Sequence, residues 1–246
     1  MRKDRIGKNI RAVLFDLDGT LLPMELGSFM RGYFGLLAGR LSRFGYTQKQ
    51  IVDATLSGLS AMLANDGKKT NEDVFWQTFA LFCGARSLAD KPQFLEFYKT
   101  DFQAVKNFCG YNPAAAETVR RIRAAGYRTV LATNPTFPAA ATESRMRWAG
   151  LAPSDFELYT TYEDFSHCKP NPAYYMDVCE RIGLAPEACL MVGNDVTEDM
   201  VAETLGMEVF LLTDCLLNKE NKDLSAYPQG SFGALAAYIG LNDAGK

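Results

Sequence analysis

Residues 11–22 read RAVLFDLDGTLL. The apolar run 12–15 is strand length, shows no helical polar spacing, and passes directly into Asp16-Leu17-Asp18-Gly19-Thr20. An unbroken run of this kind marks a strand buried on both faces, as in a parallel sheet. The same pattern recurs in TVLAT (129–133), ELYTT (157–161), ACLMV (188–192) and VFLL (209–212). Between most of these lie helical stretches: 113–125 before Gly126, 138–149 before Gly150, and 172–182 before Gly183. Each opens on proline and closes on glycine, the asymmetry expected of helix ends. Alternating strands and helices predict an α/β fold, a Rossmann-like parallel sheet with right-handed crossovers.

Residues 23–105 break the rhythm. They hold four amphipathic helix candidates, 27–44, 47–65, 71–82 and 92–102, and no convincing strand. Thr70 and Asp73 resemble a capping box with Asp in place of Glu, so a helix is expected to open near Asn71. The segment therefore reads as an all-helical insertion, residues 23–105, in a core made of 1–22 and 106–246. Its aromatic residues Phe29, Tyr33, Phe34, Phe75, Trp76 and Phe79 are expected to pack in its core.

The 246 residues suffice for a sizeable core without staples. At 48% hydrophobic and 22% charged residues, the composition is globular. Lys+Arg 26 against Asp+Glu 29 leaves a net charge of -3, without the basic excess on which nucleic-acid binding relies. The N-terminal apolar stretch is too short for a signal peptide, and no run approaches the ~18 residues of a membrane span. The six cysteines show no C-x-x-C spacing and read as reduced, mostly buried thiols. The expectation is a cytoplasmic protein, monomer or homodimer, with neither nucleic-acid nor membrane partner.

Polar groups collect where the apolar runs end. Asp16 and Asp18 follow the first, Thr133 and Asn134 the second, and Asn194, Asp195 and Asp199 the fourth, with Lys169 shortly beyond the third. In open α/β sheets ligands bind outside the carboxyl ends of the strands, so these groups should share one crevice. Asp16 and Asp18 sit two apart, which puts extended side chains on one face. With Asp195 and Asp199 they would leave an excess of negative charge even after Lys169. That suits a hard cation with oxygen ligands, Mg²⁺ above all, since it keeps waters and shares its shell with substrate phosphate. The EF-hand, Walker A and G-x-G-x-x-G patterns are all missing. His167 alone supports no catalytic triad.

At these residues the chain resembles the haloacid dehalogenase-like hydrolase superfamily. FDLDGTLL (15–22), TVLATN (129–134), KPNPAYY (169–175) and VGNDVTEDM (192–200) are similar to its four motifs, in order. The resemblance implies a magnesium-dependent phosphatase acting on a small soluble phosphomonoester, a phosphorylated metabolite. Asp16 would be the nucleophile, forming an aspartyl-phosphate, and Asp18 the general acid and then base. Thr133, with Asn134 nearby, would bind phosphoryl oxygens, and Lys169 would neutralise them. Asp16, the Asp18 carbonyl, Asp195 and Asp199 would hold Mg²⁺. Many members have an acid directly after the glycine of the fourth motif. Here Asn194 stands there, so either Asn194 or Asp195 would meet the metal. The insertion is similar to the family's first type of cap, a lid over the site, with Lys68, Lys69, Glu25 and Arg31 as candidate substrate contacts. Rival readings are a phosphomutase, a phosphonate hydrolase using Lys68 or Lys69 as a Schiff base, and a low-turnover binding or regulatory protein.

Overall fold

The computed structural model describes residues 5–241; residues 1–4 and 242–246 of the expected core lie outside them. The first apolar run forms β1 (Ala12–Phe15), buried along its length. Val13 and Phe15 enter one apolar layer, and Ala12 and Leu14 the opposite one. Burial on both faces is why the run carries no polar alternation.

Four helices follow β1: α1 (Leu26–Leu41), α2 (Gln48–Leu63), α3 (Asn71–Cys83) and α4 (Lys91–Lys99), then a 3-10 helix, Asp101–Phe108. Their starts follow local capping chemistry. The Glu25 carboxylate accepts from the Gly27 and Ser28 amides, and Thr47 and Gln50 form a reciprocal box. Thr70 Oγ1 accepts from the Asp73 amide at 3.2 Å, so α3 opens where the sequence places it. The chain enters and leaves this insertion side by side: the Gly110 amide donates to the Pro23 carbonyl at 2.7 Å, and Met24 pairs with Cys109.

The remaining elements are α5 (Pro113–Ala124), β2 (Arg128–Leu131), α6 (Ala139–Trp148), β3 (Leu158–Tyr159), α7 (Pro172–Ile182), β4 (Cys189–Gly193), β5 (Glu208–Leu212), β6 (Gln229–Gly230) and α8 (Phe232–Ile239). The six strands are parallel, in the order β3-β2-β1-β4-β5-β6. Phe15 pairs with Leu131 on one side and Val192 on the other, so the chain ends of β1, β2 and β4 lie abreast. One apolar layer takes in α5, α6 and α8 together with the insertion; α7 packs in the other. The expected strand 157–161 shrinks to Leu158–Tyr159 at the sheet edge, while β6 and α8 have no counterpart in the sequence reading.

The insertion is fastened to the loops beyond β2 and β3. Buried Asn71 donates from Nδ2 to the Pro135 carbonyl at 3.0 Å and from its amide to the Phe165 carbonyl at 2.8 Å. Beside this latch, Phe29, Tyr33, Tyr98 and Phe102 surround Phe137 with ring centroids 5.6–6.4 Å apart. Such pairs each add about 0.5–1.5 kcal/mol beyond their burial. The aromatic residues assigned to packing are buried, except half-buried Phe34. All six cysteines are free thiols, four of them buried. Among the described residues no helix is long and apolar enough to cross a membrane.

Candidate active site

Asp16 is the first residue beyond β1, and its amide donates to the Val192 carbonyl of the neighbouring strand at 2.9 Å. Its carboxylate has two partners. Oδ1 accepts from Lys169 Nζ at 3.0 Å, and the Thr20 hydroxyl lies 3.0 Å from Oδ2. Lys169 is fully buried and also donates to Asp199 Oδ1 at 2.7 Å. Burial by itself would drive its ammonium group down in pKa; the carboxylates of Asp16 and Asp199 outweigh that and hold it well above the ordinary lysine value. One protonated lysine thus joins the acids after β1 and β4.

Asp18 faces a different cation. Its Oδ2 accepts from Arg145 Nη1, while its Oδ1 is buried without a hydrogen-bond partner. Burial raises the Asp18 pKa above the usual aspartate value, against the pull of Arg145. Gly19, at φ +83, makes the turn possible and packs against Asn194: a Cβ there would lie 2.4 Å from Asn194 Nδ2.

Thr133 is buried just beyond β2, and its carbonyl accepts from the hydroxyls of Thr160 at 2.5 Å and Tyr174 at 2.9 Å. Asn134 Nδ2 donates to Glu198 Oε2 at 3.1 Å, and its Oδ1 is buried and unpartnered. Two residues of this neighbourhood, Arg145 and Glu198, escaped the sequence reading. Burial pushes the Glu198 carboxyl up to about 7. Its only signal in the sequence is its place beside Asp199; Arg145 has none that separates it from Arg147 on the same helix.

The two acids after β4 do not act as a matched pair. Asp195 Oδ1 accepts from the Thr197 and Glu198 amides at 2.7 and 3.0 Å, capping the turn that follows. Asp199 turns inward, with Oδ2 accepting from the Asp195 amide at 3.0 Å and Oδ1 held by Lys169. Among the described residues no three His, Cys, Asp or Glu side chains are grouped so that they could hold a metal ion. Oxygen donors do converge elsewhere. The Thr20 hydroxyl lies 3.0 Å from Asp16 Oδ2 and 2.9 Å from Asn194 Oδ1, and its single hydrogen cannot serve both fully. The amide cannot turn round, because Asn194 Nδ2 donates to the Cys215 carbonyl at 2.7 Å. This oxygen-rich corner, short of donors, fits a hard cation better than the Asp195–Asp199 pair does.

Other candidates lie outside this cluster. Lys68 Nζ pairs with Asp66, Lys69 Nζ donates to Gln77 at 2.8 Å, and His167 packs against Gly67. Glu25 caps α1, with Arg31 3.9 Å away and exposed.

Close packing behind the acids gives a mutational test. A Cβ on Gly193 would lie 2.0 Å from Asp199 Oδ2, which Lys169 and the Asp195 amide hold in place. Gly193→Ala is therefore expected to lower stability by about 1–3 kcal/mol, as measured by urea unfolding. Unchanged stability would show that Asp199 is free to move.

A family model for haloacid dehalogenase-like hydrolases matches residues 10–202. (S)-2-haloacid dehalogenase 4A of Burkholderia cepacia is 29% identical over 195 residues, spanning 76% of this chain and 76% of its own. Phosphoglycolate phosphatase of Nitrosospira multiformis is 29% identical over 98 residues, 40% of this chain and 42% of its own. The crystal structure of a HAD phosphatase from Thermococcus onnurineus shares the fold at TM-score 0.58 and 20% identity, covering 92% of this chain and 96% of that one.

Proposed function

The chain belongs to the haloacid dehalogenase-like hydrolases, and on that premise we propose that it is a phosphatase acting on a small phosphomonoester, a phosphorylated metabolite, through an aspartyl-phosphate at Asp16. One observation carries this reading: a second carboxyl, Asp18, stands two residues beyond the nucleophile with its side chain 29% exposed. A departing alkoxide needs a proton, and general acid catalysis of that step is typically worth about 10²–10⁴-fold. A departing halide needs none.

The Asp16 carboxylate attacks phosphorus, and the bond to the leaving oxygen breaks as the Asp18 carboxyl gives that oxygen its proton. Water then attacks the acyl phosphate and returns a proton to Asp18, releasing inorganic phosphate and restoring Asp16. Splitting the displacement in two lowers each barrier. Lys169 supports the transferred charge from behind Asp16, and Thr133 faces the same end of the sheet, consistent with phosphoryl transfer as positioning and charge neutralisation. Mg²⁺, when bound, would be held by Asp16, Asn194 and the Asp18 carbonyl, and would neutralise phosphoryl oxygens. The helical insertion over this end of the sheet is assigned the role of a water-excluding, selectivity-bearing lid.

A second reading, hydrolysis of a 2-haloacid, is favoured by the extent of the match to the Burkholderia dehalogenase. Parallel assays of a phosphomonoester panel and (S)-2-chloropropionate, each with Mg²⁺ and with EDTA, separate the two. Phosphate release that Mg²⁺ stimulates, with no chloride release, is the expected result. Chloride release without phosphatase activity overturns the proposal.

A further inference from the structure

Tyr174 and Thr160 are both fully buried and have no role in the scheme above. We infer that they are positioning residues for Thr133: both hydroxyls donate to its carbonyl and so fix the aim of its side chain at the phosphoryl group. This rests on the phosphatase reading and deepens it.

Thr133 lies just past the last ladder bonds of β2. The Ala132 amide donates to the Phe15 carbonyl at 2.7 Å, and the Thr160 amide to the Leu131 carbonyl at 3.1 Å. Beyond these, the Thr133 carbonyl takes side-chain donors instead, Thr160 Oγ1 at 2.5 Å and Tyr174 Oη at 2.9 Å. A carbonyl oxygen has two lone pairs, and here each meets a hydroxyl. Because the peptide unit is planar, a carbonyl held from two sides fixes the whole 133–134 plane. Threonine is branched at Cβ and stiff at χ1, so its hydroxyl follows its backbone.

The tyrosine is itself held. It sits in the first turn of α7, where Asn171 Oδ1 accepts from the Ala173 amide at 3.0 Å and the Tyr174 amide donates to the Asn171 carbonyl at 3.0 Å. Its ring packs against Phe165 and Tyr175, with centroids 5.9 and 5.0 Å away. Burial raises its phenol above the ordinary tyrosine pKa, so it remains a donor. Lys169, five residues earlier, pairs with Asp16. One stretch, KPNPAYY, therefore supplies the cation beside the nucleophile and, through Tyr174, a fastening for the end of β2. Without both hydroxyls the buried carbonyl loses its partners and must turn to find others, taking Thr133 with it.

The test measures kcat/KM on phenyl phosphate, together with inhibition by orthovanadate, a mimic of the transferring group. The variants are Tyr174→Phe, Thr160→Val, the two together, and Tyr174→Phe/Thr160→Ser; the first three are repeated in a Thr133→Ala background. Each single variant keeps one donor and is expected to lose about 3- to 10-fold. Together they should lose about 10²-fold, as misplacement by an ångström does, with a matching rise in the vanadate inhibition constant. Thr160→Ser keeps a hydroxyl, so Tyr174→Phe/Thr160→Ser should match Tyr174→Phe alone. In the Thr133→Ala background the hydroxyl deletions should cost less than about twofold, because they act through the side chain already removed. A merely structural pair would lower activity equally in both backgrounds. If the double variant does not fold, the single variants carry the same comparison. A Thr133→Ala variant as active as wild type, losses that add to it, or no recovery with serine overturns the proposal alone. A wild type without phosphatase activity, or one that Asp16→Asn leaves unchanged, overturns the reading beneath it.

Discussion

Asp16→Asn is expected to lower kcat for phosphomonoesters by about 10⁴-fold or more, in line with removal of a covalent nucleophile elsewhere, while leaving the protein folded. The amide is a poor nucleophile, so the first displacement has no starting point. The fold should survive because the change leaves Lys169 bonded to Asp199 at 2.7 Å, a neutral buried pair. Asparagine also keeps the shape of the side chain beyond β1 and can still meet the Thr20 hydroxyl. Steady-state kinetics with a thermal melt checks both halves. Residual activity within tenfold of wild type would remove Asp16 from the chemistry; loss of folding would make it a structural residue first.

Lys169→Met should have the opposite balance, a large effect on stability as well as on rate. The side chain is 0% exposed and its ammonium bridges two carboxylates that otherwise face each other without a cation. Removing one partner of a buried ion pair typically costs about 3–5 kcal/mol. For a chain of this size that corresponds to a fall in Tm of about 6–20 °C. Methionine fills much of the lysine volume, so the loss reflects charge rather than a cavity. Asp16→Asn in the same chain should recover part of the stability, since it removes one of the two stranded charges. A single variant as stable as wild type would mean that one carboxylate reaches solvent or takes up a proton at little cost.

The parts of the site that were legible in the sequence are those attached to buried strands. β1, β2, β4 and β5 announce themselves because burial on both faces demands apolar runs, and the groups after β1, β2 and β4 inherit their placement from register. The ends of α6 were equally plain, but its content was not. Its buried face carries Thr142, Ser144 and Arg145 beside Ala141 and Met146, so no apolar stripe distinguishes Arg145 from Arg147. Only packing tells the residue beneath the aromatic layer from the one in solvent. The acids at 195 and 199 show the complementary difficulty. Their spacing suggests one helical face, yet the chain makes a capped turn before the 3-10 helix Met200–Leu205. Asp195 is consequently spent on backbone amides, Asp199 on Lys169, and the amide oxygen of Asn194 is joined to Asp16 through the Thr20 hydroxyl. β3 and β6, at two residues each, carry too little sequence to show a pattern, because neighbouring strand register rather than composition defines them.

The most direct test of Asp16 as the phosphoryl acceptor is a crystal structure of the protein grown with beryllium fluoride and Mg²⁺. A fluoroberyllate bonded to an Asp16 carboxylate oxygen is expected, its fluorides facing Lys169 Nζ and the Thr133 hydroxyl. A structure with Asp16 bare, or with the adduct on any other side chain, would contradict it.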